Sequence, residues 1–280
     1  MITYVCYHDL VIDTMRLARQ IPPDTAVIVG IPRSGMVPAA MLAAHLHLPL
    51  AEPVAFGLLG ALLGGGHRDV RRLRPGPVVV VDDSCYMGRE LRNARDALVG
   101  IEREVITAVL YAHPDYENKP DMFVRSIPGP RFFEWNLFNH EVMTRSCLDF
   151  DGVLCVDPTM IESRDPAGYA QFIKTAEPLY VPRRCKVHRI VTHRRKKWHN
   201  NTAHWLKRHR VKCDRITMRR GSVEGSVEGN IEVDGTWKGR QYSADDVAEL
   251  FVESDHRQAK RIYEVSGKPV ICPTSGEVYQ

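Results

Sequence analysis

Cys147-Leu148-Asp149-Phe150-Asp151-Gly152-Val153-Leu154 lies near the middle of the 280-residue chain, and its reading decides the fold. An apolar approach ends in two carboxylates two residues apart, followed at once by glycine. In an extended strand, side chains at i and i+2 point the same way, so Asp149 and Asp151 are expected to share one patch. That patch lies at the C-terminal end of a strand, where open α/β sheets bind their ligands. Gly152 lets the backbone turn sharply. Two close carboxylates repel unless a cation neutralises them, and Mg²⁺ is a common partner. The plainer reading is a strand ending in a solvated, Asp-rich turn.

Further along the chain, Arg189-Ile190-Val191-Thr192 is an apolar strand closed by a hydroxyl. Thr236-Trp237-Lys238-Gly239 offers a lysine in what reads as a loop. Leu250-Phe251-Val252-Glu253-Ser254-Asp255 is a strand ending in acids. Together with the central octet, these stretches resemble the four motifs of the haloacid dehalogenase (HAD) superfamily in their usual order. The resemblance implies a nucleophilic Asp149 that forms an aspartyl-phosphate, with Asp151 protonating the leaving oxygen and then taking a proton from water. It implies that Thr192 donates to a phosphoryl oxygen and that Lys238 offsets developing charge. It also implies Mg²⁺ as cofactor, held by Asp149, Asp151, Glu253 and Asp255. The stretch between Cys155 and Lys186 is too short for a large cap.

Toward the N-terminus, Ala26-Val27-Ile28-Val29-Gly30-Ile31 reads as a buried strand. A loop, Pro32-Arg33-Ser34-Gly35-Met36, and an Ala- and Leu-rich helix follow. Such a turn presents backbone N–H groups to an anion. Pro77-Val78-Val79-Val80-Val81 is apolar throughout, as the interior strand of a parallel sheet is. It runs into Asp82-Asp83, the loop Ser84-Cys85-Tyr86-Met87-Gly88, and a helix from about Arg89. This pair of units resembles the type I phosphoribosyltransferases, which use phosphoribosyl pyrophosphate (PRPP). The resemblance implies a pyrophosphate loop at Arg33, Ser34 and Gly35. It implies ribose contacts from Asp82 and Asp83, and a 5′-phosphate cradle from Ser84, Cys85, Tyr86, Met87 and Gly88. Two positions depart from the family pattern: Met87 and Glu90 stand where threonines are usual. Glycines and arginines between Gly64 and Arg74 resemble the mobile catalytic loop of that family.

The remaining composition bounds the class. Hydrophobic residues make up 44% of the chain, enough for two ordinary cores. No stretch reads as a membrane span or a signal peptide. Seven cysteines, without a Cys-x-x-Cys pair, fit neither a zinc site nor a disulfide framework and suggest a reducing cytoplasm. The net charge is only +4, yet Arg183 to Arg220 holds fifteen Lys/Arg against the single acid Asp214. That block reads as a solvated face that steers small anions, in preference to a nucleic-acid surface.

The fold expected is α/β with two domains, each a mainly parallel sheet flanked by helices: a phosphoribosyltransferase-like domain at 1–140 and a HAD-like domain at 141–280. The function expected is nucleotide or nucleoside metabolism, with phosphoribosyl transfer from PRPP coupled to Mg²⁺-dependent phosphomonoester hydrolysis. A PRPP- or nucleotide-sensing regulator and a nucleic-acid end-processing phosphatase are the alternatives. The partners expected are small phosphorylated, nucleotide-like molecules and a second copy of the chain.

Overall fold

The computed structural model describes residues 1–64, 73–115, 119–220 and 231–280. It divides into two compact units, Tyr7–Arg131 and Met1–Cys6 together with Phe132–Gln280. The division thus falls before the sequence-based boundary at 140, and the first six residues join the C-terminal unit. The reason is local: β1 (Thr3–Val5) pairs with β7 (Arg131–Phe133). All of Gly65 to Arg72 and all of the duplicated Gly221–Gly229 stretch lie outside the described residues.

In the N-terminal unit, α1 (Tyr7–Ala18) precedes β2 (Val27–Gly30), α2 (Met36–Leu46), β3 (Leu50–Ala51) and α3 (Pro53–Leu59). Then come β4 (Val78–Cys85), α4 (Arg89–Ala97), β5 (Val105–Ala112) and β6 (Met122–Ser126). The strands form one sheet in the order β3-β2-β4-β5-β6, parallel throughout. Val78 to Val81 are fully buried, as an interior strand covered on both faces requires. Strand β4 runs on through Asp82 and Asp83 to Cys85, beyond the expected end at Val81.

In the C-terminal unit, α5 (Glu134–Leu137) leads to β8 (Ser146–Leu148). After α6 (Met160–Arg164) and α7 (Pro166–Thr175) come β9 (Val187–Arg195), α8 (His199–Arg208) and β10 (Cys213–Arg219). The unit closes with α9 (Ile231–Ser243), β11 (Leu250–Val252), α10 (His256–Ser266), β12 (Val270–Cys272) and β13 (Glu277–Tyr279). The sheet order is β10-β9-β8-β11-β12-β13, with only β13 antiparallel.

Strand pleating sends successive residues to opposite faces. Leu148, Ile190, Val252 and Ile271 join one core with Trp205 and Leu206, while Cys147, Val191, Phe251 and Val270 join the other with Tyr242 and Ile262. This parity decides where each functional side chain goes. Asp149 and Glu253 share the face of Cys147 and Phe251; Thr192 and Arg194 share that of Ile190.

Candidate functional site

The chain holds two candidate sites, one in each unit. In the N-terminal unit, the loop after β2 lies against the acids of β4. A Cβ on Gly35 would stand 2.6 Å from Asp82 Oδ1 and 2.7 Å from the Ile31 carbonyl, so only glycine permits this approach. The Ser34 hydroxyl donates to Asp83 Oδ1 at 3.0 Å. The Ser84 amide donates to the same oxygen, and the Asp83 amide donates to Asp82 Oδ1, both at 2.9 Å. Both acids are buried. Burial, and then the Asp83 charge beside it, pushes the Asp82 carboxyl up to about 8.

Beyond the strand, Gly88 takes the left-handed conformation (φ +65°) and opens α4. A cavity of about 280 Å³ lies here, lined by Asp82, Ser84 to Gly88, Arg89, Glu90 and Leu91. The structure thus gathers Asp82 and the whole expected phosphate loop around one cavity. Asp83 is turned to Ser34, and Arg33 is exposed. Glu90 makes no ion pair among the described residues, although a carboxylate in the first turn of a helix is itself favourable.

These observations fit what comparison with known proteins shows: residues 7–143 match the family model of the phosphoribosyl transferase domain. The N-terminal half carries a phosphoribosyl transferase domain. The chain is 29% identical over 158 residues to the bifunctional protein PyrR of Acetivibrio thermocellus, covering 50% of this chain and 80% of that protein. Among solved structures, it resembles the purine phosphoribosyltransferase of Pyrococcus horikoshii at 20% identity, over 48% of this chain and 93% of that one, with a TM-score of 0.37. The xanthine-guanine-hypoxanthine phosphoribosyltransferase of Helicobacter pylori gives 19%, 48%, 93% and 0.37.

The second site lies at the C-terminal ends of β8, β9 and β11. The Asp149 amide still bonds the Val252 carbonyl at 3.0 Å, but the chain then folds back. The Leu154 and Cys155 amides both donate to the Phe150 carbonyl, and Gly152 sits at φ +75°. A Cβ at Gly152 would lie 2.1 Å from Ser254 Oγ, so this turn requires glycine. Because the strand ends at Leu148, the expected i, i+2 patch does not form as a strand pair, and the two aspartates acquire different partners.

Asp149 meets Lys238. Its Oδ2 accepts from Lys238 Nζ at 2.6 Å, and Glu253 Oε2 accepts from the same nitrogen at 2.6 Å. All three groups are buried. Lys238 stands on helix α9, not in the expected loop. Gly235 and Gly239, one turn apart, press against Arg261 and Val265 of α10, where a Cβ would come within 2.7 and 2.8 Å. That close packing turns Lys238 away from α10 and onto the sheet. Burial alone would lower its ammonium, but Asp149 and then Glu253 outweigh it and hold the group above the usual lysine range. Burial, and then the Glu253 charge, pushes Asp149 up to about 7 against the pull of Lys238.

Asp151 meets Arg194, a residue the sequence reading passed over. Arg194 Nε lies 3.1 Å from both Asp151 oxygens, and Nη2 lies 2.6 Å from Oδ1. Thr192 is buried, and its Oγ1 accepts from the Arg194 amide at 3.1 Å; its own proton has no acceptor among the described residues. Asp157 was also missed. Burial, and then the charges of Asp151 and Asp149, raise its carboxyl.

The expected metal ligands separate here. Glu253 uses Oε2 on Lys238 and Oε1 on the Asp255 amide. Asp255 caps α10 and pairs with Arg257 at 3.2 Å, while Asp151 is taken by Arg194. Among the described residues no cluster of three or more metal-ligating side chains forms. Asp149 Oδ1 alone of these oxygens on Asp149, Asp151 and Glu253 has no partner there. The chemistry nonetheless fits Mg²⁺, which takes one or two carboxylates and fills its shell with water and phosphate oxygens. The neighbourhood also carries more carboxylates than the cations Lys238, Arg194 and Arg257 balance, as the raised Asp157 reflects.

Proposed function

We propose that the chain is a bifunctional enzyme of nucleotide or nucleoside metabolism. The N-terminal unit binds PRPP or a ribose 5-phosphate compound and transfers the phosphoribosyl group. The C-terminal unit is a HAD-like phosphohydrolase acting on a small phosphorylated metabolite. The observation that carries the second half is Lys238 Nζ buried between Asp149 and Glu253, 2.6 Å from each. A buried cation bridging two acids at the end of the central strands suits a site that must gather negative charge.

In this reading an Asp149 oxygen bonds to phosphorus as the bond to the leaving oxygen breaks, Asp151 protonates that oxygen, and Asp149 becomes an aspartyl-phosphate. Water then attacks that phosphorus, a proton passes to Asp151, and inorganic phosphate leaves as the Asp149 carboxylate is restored. Thr192 supplies its unused hydroxyl proton to a phosphoryl oxygen. Lys238 holds Asp149 in place and compensates charge. Asp149, with Asp157 near it, would hold Mg²⁺, which when bound shields the repulsion between nucleophile and phosphate.

In the N-terminal unit, the amides and hydroxyl of Ser84 to Gly88 and the start of α4 would hold the 5′-phosphate. Asp82 would meet the ribose, and the Arg33–Gly35 loop the pyrophosphate. A second reading, a PRPP or nucleotide sensor with little turnover, rests on Glu90, which lines the same cavity without an ion pair among the described residues.

The test is a metabolite screen with Mg²⁺ that scores phosphate and pyrophosphate release separately. We expect phosphate release to vanish in Asp149→Asn while the fold is kept. Release at the wild-type rate in that variant would overturn the assignment of Asp149 as nucleophile.

A further inference from the structure

A row of aromatic rings leads outward from the second site. Arg194, buried beside Asp151, has its guanidinium carbon 6.0 Å from the ring centroid of Phe172 on α7. Phe172 is buried and stacks on Tyr169, three residues earlier on the same helix, with centroids 6.0 Å apart. Tyr169 in turn meets Trp198 edge to face at 5.9 Å. Trp198 lies in the turn between the C-terminal end of β9 and the start of α8, at the end of the sheet that carries Thr192 and Asp149. Burial, and then the charge of Asp151, raise the Tyr169 hydroxyl, which therefore lies within electrostatic reach of that site.

Three features set Tyr169 and Trp198 apart from ordinary core. Both are half-buried, where Phe172 is buried. Neither the Tyr169 hydroxyl nor the Trp198 indole N–H has a hydrogen-bond partner among the described residues, whereas the buried Trp205 gives its N–H to the Ala176 carbonyl at 2.8 Å. The Trp198 ring is also covered by the ammonium of an exposed lysine, Lys197, 4.9 Å from its centroid. An exposed cation on an aromatic face is held by a factor of about 2 to 5. A nucleobase stacked on such a face gains a factor of about 5 to 150. A base therefore displaces the lysine, and two rigid rings lose little freedom in receiving it.

We propose that Tyr169 and Trp198 form an aromatic shelf beside the phosphohydrolase site, which takes the base of a nucleoside monophosphate. The inference rests on the phosphohydrolase reading of this unit. The phosphate lies at Asp149 and Thr192, the base stacks on Trp198 in place of Lys197, and the sugar spans the two. Tyr169 holds the Trp198 ring and offers its unused hydroxyl to the ligand.

The experiment measures phosphate release by the full chain with Mg²⁺. The compounds are adenosine 5′-monophosphate, ribose 5-phosphate, which is the same sugar phosphate without its base, and p-nitrophenyl phosphate as a general reporter. A 5′-phosphorylated DNA oligonucleotide is a further arm. The proteins are wild type, Trp198→Ala, Trp198→Phe, Lys197→Ala and Asp149→Asn, the last to assign release to this unit. The quantity read is the ratio of kcat/KM on adenosine 5′-monophosphate to that on ribose 5-phosphate, which a general loss of fold or chemistry leaves unmoved. The wild-type ratio should be about 5 to 150, the worth of one stacked base. Trp198→Ala should bring it toward one, mainly through KM, and Trp198→Phe should keep most of it. Lys197→Ala should raise it by a factor of about 2 to 5, because the competing cation is gone.

A wild-type ratio near one would overturn the proposal. So would a ratio that survives Trp198→Ala, or one that does not rise in Lys197→Ala. Faster release from the oligonucleotide than from the mononucleotide would overturn the assignment to a free nucleotide. Should Trp198→Ala fail to fold, the wild-type ratio and Lys197→Ala still decide. A wild type that releases phosphate from none of the four compounds overturns the phosphohydrolase reading and this inference with it. A wild type that is active without preferring the nucleotide to ribose 5-phosphate overturns this inference alone.

Discussion

Replacing Lys238 with methionine removes the cation between Asp149 and Glu253 and keeps most of the side-chain volume. Two buried carboxylates are then left without their shared partner, both oxygens having stood 2.6 Å from Nζ. Breaking a buried pair by removing one member costs about 3–5 kcal/mol. A domain has about 5–15 kcal/mol in all, so the loss is a large share of the whole. For a domain of this size it corresponds to a fall in melting temperature of about 6–20 °C.

The loss depends on pH, with a definite sign. Burial, and then Glu253, already push Asp149 up to about 7 with Lys238 in place, and removing Lys238 pushes it further. A carboxyl whose folded value lies above its unfolded value of about 3.9 takes up a proton more readily in the folded protein. Stability therefore falls as pH rises from the unfolded value through the folded one. The deficit of Lys238→Met should be small near pH 5 and should grow as the pH passes 7. The assay is urea unfolding followed by tryptophan fluorescence. Trp135, Trp198, Trp205 and Trp237 are the only tryptophans, and all four lie in Phe132–Gln280, so the signal reports the C-terminal unit. A variant that unfolds like wild type at pH 8, or that loses as much at pH 5 as at pH 8, would refute the argument.

Replacing Met87 and Glu90 together with threonine should tighten PRPP binding measured by calorimetry with Mg²⁺, by about 0.5–1.5 kcal/mol for each hydroxyl gained, while Asp82→Asn with Asp83→Asn should weaken it. Against burial, hydrogen bonds from His188 and Arg189 pull Asp245 down to about 2. That stabilisation is present above the unfolded value of about 3.9 and is lost as pH falls through 2, so Asp245→Asn should cost about 2–3 kcal/mol at pH 7 and little in strong acid, read from the same fluorescence signal. The basic stretch Arg183 to Arg220 should show no tight binding to DNA or RNA at physiological salt; a nanomolar complex whose affinity falls steeply with salt would favour the end-processing alternative.

Much of the α/β frame was legible in the chain. Val78 to Val81 could only be a strand covered on both faces, and Asp149 followed by a forced glycine turn could only close one. That the residues expected to form a phosphate loop lie together follows from their being consecutive: Asp82 and Ser84 to Gly88 line one cavity as neighbours in sequence. The partners of the two central aspartates were not legible. Lys238 lies 89 residues from Asp149, and its glycine neighbours read as a loop until the packing of α9 on α10 shows why they are small.

Arg194 begins a run of four bases, Arg194-Arg195-Lys196-Lys197, which charge alone cannot tell apart. Strand parity and the position of α8 decide that the first is buried on Phe150 beside Thr202, while Lys196 and Lys197 remain in solvent. Sequence determined which residues could carry charge at the ends of the strands, because periodicity and glycine are local properties. Tertiary structure alone decided which charges face each other, because that depends on which face of a distant strand or helix is packed inward.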